Sequence, residues 1–276
     1  MQNKTLIIAG MHRSGTSLIT TWLHKCGLIV GEQLLGPAIG NKEGHFEDVE
    51  FLKMHEEILR DNHLPSTGIT DIPVEHISAY HKEKIKCIVA VKNSRFEQWG
   101  WKEPRTCLFL DLYREVLPDA NYLVIARSYQ SVIISLIKRM LADLDEMYNV
   151  RKGYFSRWVW YKLRHKYYFK RVCRRHAEFF LKVWISYNEQ VLKNIKALPA
   201  DKYLVINYTS LITDDRDVIS YLTNNWGLAL NYSSFKDVFK ESLLSQPFDI
   251  EKYINDKQLL NRAKDIERSL ADYMHL

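Results

Sequence analysis

Two hydroxyls in tandem, Thr16 and Ser17, close the stretch Gly10-Met11-His12-Arg13-Ser14-Gly15-Thr16-Ser17. A glycine-bounded loop of this kind aims backbone N–H groups at an anion, and Arg13 adds a fixed positive charge. Gly10 and Gly15 have the spacing of a nucleotide phosphate-binding loop, yet Thr16 stands where such a loop carries lysine. An ATPase or kinase needs that lysine at the β- and γ-phosphates and a carboxylate for magnesium. No carboxylate follows a strand in the required way, so the residues imply an anion bound without a metal.

A second cluster is Arg127 with Ser135 and Arg139. Ser135 and Arg139 lie four apart and share a helical face, with Ser131 one turn earlier. Arginine and serine so arranged make a second anion pocket; the alternative is a surface arginine in a salt bridge. Lys102 ends the run Gln98-Trp99-Gly100-Trp101-Lys102, just before Glu103-Pro104.

These residues need elements to hold them. Thr5–Gly10 is an apolar, β-branched strand, and Leu18–Leu23 has helical periodicity. Gly27–Gly44 reads as loop and Glu47–Arg60 as a helix; Asp61–Pro73 reads as loop and Val74–Phe96 as mostly helical. Gln98–Lys102 is a short strand, broken by Pro104 and followed by a helix over Arg105–Leu117. Asn121–Ala126 is a strand with a helix over Ser128–Leu144, and Lys202–Asn207 is a strand with a helix from Thr209 to Asn224. Buried strands alternating with helices predict an α/β fold with a mainly parallel central sheet. Ligands of such sheets sit at the carboxyl ends of the strands. Thr16, Lys102, Arg127 and Tyr208 all stand there, so they converge on one crevice.

Two anion pockets at neighbouring strand ends fit a nucleotide carrying phosphate at both ends. In order, GMHRSGTSL, WGWKEP and YLVIAR with Ser and Arg eight and twelve positions after Arg127 resemble the donor signatures of sulfotransferases that use 3′-phosphoadenosine 5′-phosphosulfate (PAPS). The likeness is to the carbohydrate, tyrosylprotein and bacterial branches. It covers Thr5–Arg60 and Gln98–Thr213 discontinuously. It implies a P-loop-like three-layer fold, PAPS as co-substrate, and a hydroxyl-bearing acceptor: a glycan or small molecule first, a peptide or lipid headgroup also open. By the same resemblance Arg13, Ser14, Gly15, Thr16 and Ser17 cradle the 5′-phosphosulfate. Arg127, Ser135 and Arg139 hold the 3′-phosphate, and Lys102 meets the sulfuryl group. Tyr208 stands where the family has Tyr-Glu-x-Leu, with Thr209 replacing the glutamate. Residues 239–246 match the family's late basic loop poorly and receive no role.

In-line transfer through a loose transition state builds negative charge on the leaving oxygen, so the enzyme's task is positioning and electrostatic stabilisation. The acceptor hydroxyl needs a base. Asn41–Asp48 is similar to a stretch that supplies a glutamate base in bacterial relatives, which makes Glu47 the first candidate and His45 the second. Alternatively, Glu47 and Asp48 only favour a helix N-terminus. Two other classes stay open: a P-loop kinase of a small metabolite and a non-catalytic nucleotide or polyanion binder.

The net charge of +6 has one source. Arg151–His176 holds ten Lys/Arg and no Asp/Glu; without those ten, the 39 basic residues become fewer than the 33 acidic ones. The same segment carries Tyr154, Trp158, Tyr161, His165, Tyr168 and Val172 at alternating four- and three-residue steps, the stripe of one long helix. It is expected to be a helical insertion at about 145–195 of a single domain, serving as core or lid packing, an anionic-acceptor groove or a peripheral membrane contact. No recognition motif points to nucleic acid. Cys26, Cys87, Cys107 and Cys173 lack metal-ligand spacing. The first strand starts within a few residues of Met1, leaving no room for a signal peptide, and no run approaches the ~20 apolar residues of a membrane span. A soluble, cytoplasmic protein is expected.

Overall fold

The structure, a computed structural model, describes residues 3–32, 47–150, 153–207, 209–239 and 248–274. Its described strands, β1 (Lys4–Ala9), β2 (Gln98–Lys102), β3 (Asn121–Ala126) and β4 (Tyr203–Asn207), form one parallel sheet in the order β2-β1-β3-β4. From β1 the chain crosses first to β2 on one side and then to β3 on the other, so a switch point lies between β1 and β3. The register brings the strand ends to one edge, with Lys102 opposite Ile8 and Asn207 opposite Ala126.

Alternation along the strands makes three layers. Leu6, Ile8, Leu123, Ile125, Leu204 and Ile206 face helices α1 (Thr16–Lys25) and α8 (Leu211–Asn224). Ile7, Ala9, Tyr122, Val124, Ala126 and Val205 face the larger core. That side is covered by α2 (Val49–Asp61), α3 (Ala79–Arg95), α4 (Leu110–Val116), α5 (Tyr129–Val150), α7 (His165–Ala197) and α9 (Lys257–Asp272). Phe51 of α2 stacks on Trp101 of β2 at 4.2 Å and 6°. Burying such rings contributes about 2–3 kcal/mol each and fixes α2 beside the end of β2.

Gly100 is where β2 meets β1: a Cβ there would lie 2.5 Å from the Leu6 carbonyl oxygen. Gly100→Ala should therefore part the two strands and cost about 1–3 kcal/mol, read as a lower urea midpoint. An unchanged midpoint would show that the pairing tolerates the methyl.

The basic aromatic segment departs from the expected single stripe. It comprises α6 (Tyr154–Val159), a π-helical turn over Trp160–Arg164, and then α7. The wider turn shifts the helical phase. Trp160 is thereby buried at 1 % exposure, while Tyr154, Trp158 and Tyr161 of the expected stripe are exposed. No helix among the described residues is long and apolar enough to cross a membrane.

Candidate active site

The loop after β1 is shaped by what cannot fit. A Cβ at Gly10 would lie 2.7 Å from Thr16 Cγ2 and 2.9 Å from the Ile125 carbonyl oxygen. Thr16, at the lysine position of an ATP-binding loop, is buried with its methyl over Gly10. The Ser14 N–H donates to the Met11 carbonyl at 3.1 Å. Arg13 (φ 68°) and Gly15 (φ 94°) are both left-handed, and for Arg13 that conformation costs on the order of 1–2 kcal/mol. α1 then starts at Thr16 with no side-chain cap and no acidic residue in its first turn. An uncapped helix start presents its first N–H groups and the positive end of its dipole to an anion.

Positive charge gathers across the switch point. Arg127, just after β3, donates from Nη1 to the Arg13 carbonyl at 2.6 Å, which holds the strained residue in place. Arg13 Nε donates to Ser135 Oγ on α5 at 2.9 Å. Burial, then the charges of Arg139 and Arg127, push the Arg13 guanidinium below its ordinary pKa. Crowded arginines repel one another, and an anion placed among them relieves the repulsion.

Along the same edge, Lys102 is fully buried at the end of β2. Its Nζ donates to Ser17 Oγ at 3.2 Å and to Glu47 Oε1 at 3.1 Å. Burial lowers the Lys102 pKa, and the Glu47 carboxylate opposes that shift. The neighbouring carboxylates divide their work. Asp48 caps α2, accepting from the Glu50 N–H at 2.9 Å and from buried Lys92 Nζ at 2.8 Å. Glu47 instead turns to Lys102.

Behind Lys102 lies a buried ionic network. Glu103 accepts from Arg105 Nη1 and pairs with His55 Nδ1, each at 2.5 Å. His55 Nε2 meets the Tyr113 hydroxyl at 2.6 Å, and Arg105 Nε donates to the Ser66 carbonyl at 2.7 Å. Burial alone would raise the Glu103 pKa; the hydrogen bond and charge of His55, with the charge of Arg105, outweigh it and hold the carboxyl low. His12 is the converse case. Burial, together with the charges of Arg105, Lys102 and Arg139 and against that of Glu103, lowers its pKa to about 3, so the imidazole is neutral. Its Nε2 is enclosed and hydrogen-bonds to nothing among the described residues.

A sequence profile described as Sulfotransferase family matches residues 5–232, which span the loop, Lys102 and the arginine pocket. The chain belongs to the sulfotransferase family. No curated protein matches it in sequence. Among solved structures it is similar to sulfotransferase STF9 from Mycobacterium avium, at 14 % identity and a TM-score of 0.60 over 100 % of this chain and 78 % of that one. It is also similar to the sulfotransferase domain of the Synechococcus PCC 7002 olefin synthase, at 15 % identity and a TM-score of 0.52 over 98 % and 96 %. At these identities the likeness is one of fold, and the P-loop-like α/β architecture is the sulfotransferase one. Sulfuryl transfer is the activity class that the family carries.

In this sulfotransferase the loop residues, Lys102, Glu47, Arg127 and Ser135 all meet at the carboxyl edge, with Arg139 one turn beyond Ser135. Ser131 does not join them: its hydroxyl accepts from Ser128 Oγ at 2.9 Å, at the start of α5. His45 and Tyr208 lie outside the described residues. Sequence reasoning missed His12 and the Glu103 network. The one local signal for the latter was opposite charges packed into Lys102-Glu103-Pro104-Arg105. The partner His55 is 48 residues away from Glu103.

Proposed function

We propose that this protein moves a sulfuryl group from PAPS to a hydroxyl of its acceptor, with a glycan or small molecule as the favoured class. The observation that carries the reading is Lys102 Nζ bridging the Ser17 hydroxyl and the Glu47 carboxylate, beside a pocket of crowded arginines. The uncapped start of α1, the lack of room for a side chain at Gly10 and the unbalanced charge of Arg13 fit a donor with anionic groups at both ends. Such a donor supplies an activated sulfuryl group on a phosphate leaving group.

The chain's residues then divide the work. Arg13 and the amides and hydroxyls of Ser14–Ser17 bind the phosphosulfate end, while Arg127, Ser135 and Arg139 bind the 3′-phosphate. Tyr208 belongs to the nucleotide side. Lys102 lends positive charge to oxygens that become more negative during transfer, and its burial strengthens that effect. Glu47 accepts the proton of the acceptor hydroxyl, the role that His45 would otherwise fill. The helical segment at about 145–195 forms an insertion in a single catalytic unit.

Calorimetry with adenosine 3′,5′-bisphosphate in EDTA tests the donor assignment. Arg139→Ala should weaken that binding about tenfold, the value of one charged hydrogen bond near solvent, and should leave adenosine 5′-monophosphate binding unchanged. Equal loss for both ligands, or binding only of Mg-ATP, would overturn it.

A further inference from the structure

The segment beyond the sheet forms an arm. α5 starts beside Trp184 of α7, where the Tyr129 and Trp184 rings lie 5.8 Å apart and the Trp184 indole N–H donates to the Arg127 carbonyl. At its far end Tyr148 stacks on Trp160 at 4.3 Å, and Asp145 accepts from the Trp160 indole N–H at 2.8 Å. α5 and α7 are therefore antiparallel. Since Trp184 is level with the carboxyl end of β3, the 20 helical residues from His165 to Trp184 carry the hairpin about 30 Å past the edge where the active site lies.

The tip of this arm is uncovered. Val150, Phe155 and Leu163 are 75 %, 75 % and 64 % exposed, and Tyr154, Trp158 and Tyr167 are exposed with them. Phe155 and Trp158 stack at 6.3 Å. Arg157, Lys162, Arg164 and Lys166 are interleaved, and the sequence from Arg151 to His176 contains no acidic residue. Farther along α7, Lys170 and Arg174 line an open cleft with Lys252.

We propose that this tip docks on the surface of a membrane containing anionic lipid, with the active-site edge of the sheet toward the membrane. Trp and Tyr beside Lys and Arg are the composition of a helix lying in the headgroup layer, where long basic side chains reach phosphate and rings reach the acyl boundary. Phe155, Leu163 and Val150 select this occupant over a polyanionic polymer. They carry no hydrogen-bonding group, so they gain only by leaving water for hydrocarbon. A second copy of the chain would bring the same positive face, which Asp145 and Glu146 of α5 offset only in part, and be repelled. Trp160, turned inward by the π-helical turn, pins the tip as a preformed helix. The docking does not depend on which acceptor is sulfated.

Flotation of the full chain tests it, with phosphatidylcholine vesicles and with vesicles of phosphatidylcholine mixed with phosphatidylglycerol. The protein should float with the mixed vesicles only, and high salt should release it. Phe155→Ser with Leu163→Ser should lower the bound fraction about tenfold without changing Tm, because both side chains are solvent-exposed. Arg157→Glu with Lys162→Glu should abolish flotation. Three outcomes overturn the proposal: no flotation with either vesicle, equal flotation with both, or binding of a soluble sulfated glycan in its place that ignores the Phe155 and Leu163 changes. Concentration-dependent dimers abolished by the same changes would also overturn it, by assigning the face to self-association. The assay needs neither donor nor turnover, so its failure leaves the sulfotransfer reading standing.

Discussion

Lys102→Met should reduce kcat for sulfuryl transfer about 10²–10³-fold, equivalent to ~3–4 kcal/mol of transition-state stabilisation. Methionine keeps the buried stem and removes the ammonium that meets Ser17 and Glu47. The Glu47 carboxylate, nearly buried, then loses its counter-charge, so the variant should also melt lower. Adding Glu47→Gln separates the two effects. The double variant should recover most of the lost Tm and stay inactive, since the charge and the proposed base are both gone. Turnover is read by mass spectrometry of the sulfated acceptor, and donor-site integrity by adenosine 3′,5′-bisphosphate binding within a few-fold of wild type. A Lys102→Met enzyme within tenfold of wild-type kcat would remove Lys102 from the catalytic role.

Glu103→Gln should be the most damaging change to stability, about 3–5 kcal/mol at pH 7. It leaves the buried Arg105 guanidinium without its closest carboxylate, and one amide oxygen must serve where two oxygens met Arg105 and His55. The loss has a pH signature. The Glu103 carboxyl is held below its ordinary value of 4.5 in the folded state, so its contribution is complete above that value and disappears as pH falls through the folded one. The Tm gap between wild type and Glu103→Gln should therefore narrow steadily below about pH 4.5. His12 adds a separate acid sensitivity to both proteins. Its imidazole takes up a proton only near pH 3 when folded, against 6.5 when unfolded, so the unfolded state binds more protons between those values and stability falls as pH drops through them. A gap independent of pH would mean that Glu103 acts through shape alone. Because Glu103 directly follows Lys102, the network also fixes where β2 ends. The expected contrast is a Lys102 variant that loses turnover first and a Glu103 variant that loses stability first.

The strands β2 and β3 were legible to the residue, and β4 to within one. Each is a compact apolar run bounded by a charge, a proline or a turn, so local sequence suffices. The loop was legible because its chemistry is written consecutively, from Gly10 to Ser17. The helical spacing also placed Ser135 and Arg139 one turn apart on one face, and Ser135 does meet Arg13. Less was visible where the phase of a helix changes. A stripe through Tyr154, Trp158 and Tyr161 assumes an uninterrupted α-helix, and the π-helical turn at Trp160–Arg164 breaks it and buries Trp160 instead.

Sequence alone therefore determined the parallel α/β class and the order of the three candidate anion-binding motifs, because strand, turn and helix signals are local. Tertiary structure alone decided that Asp48 caps a helix while Glu47 faces Lys102. It also decided that His12 is neutral, that Glu103 is shared by Arg105 and His55, and that the basic arm rises from the active-site edge. Each of these depends on burial and on contacts between residues far apart in the chain. Desolvation and Coulomb energy follow distance in space, which residue spacing does not encode.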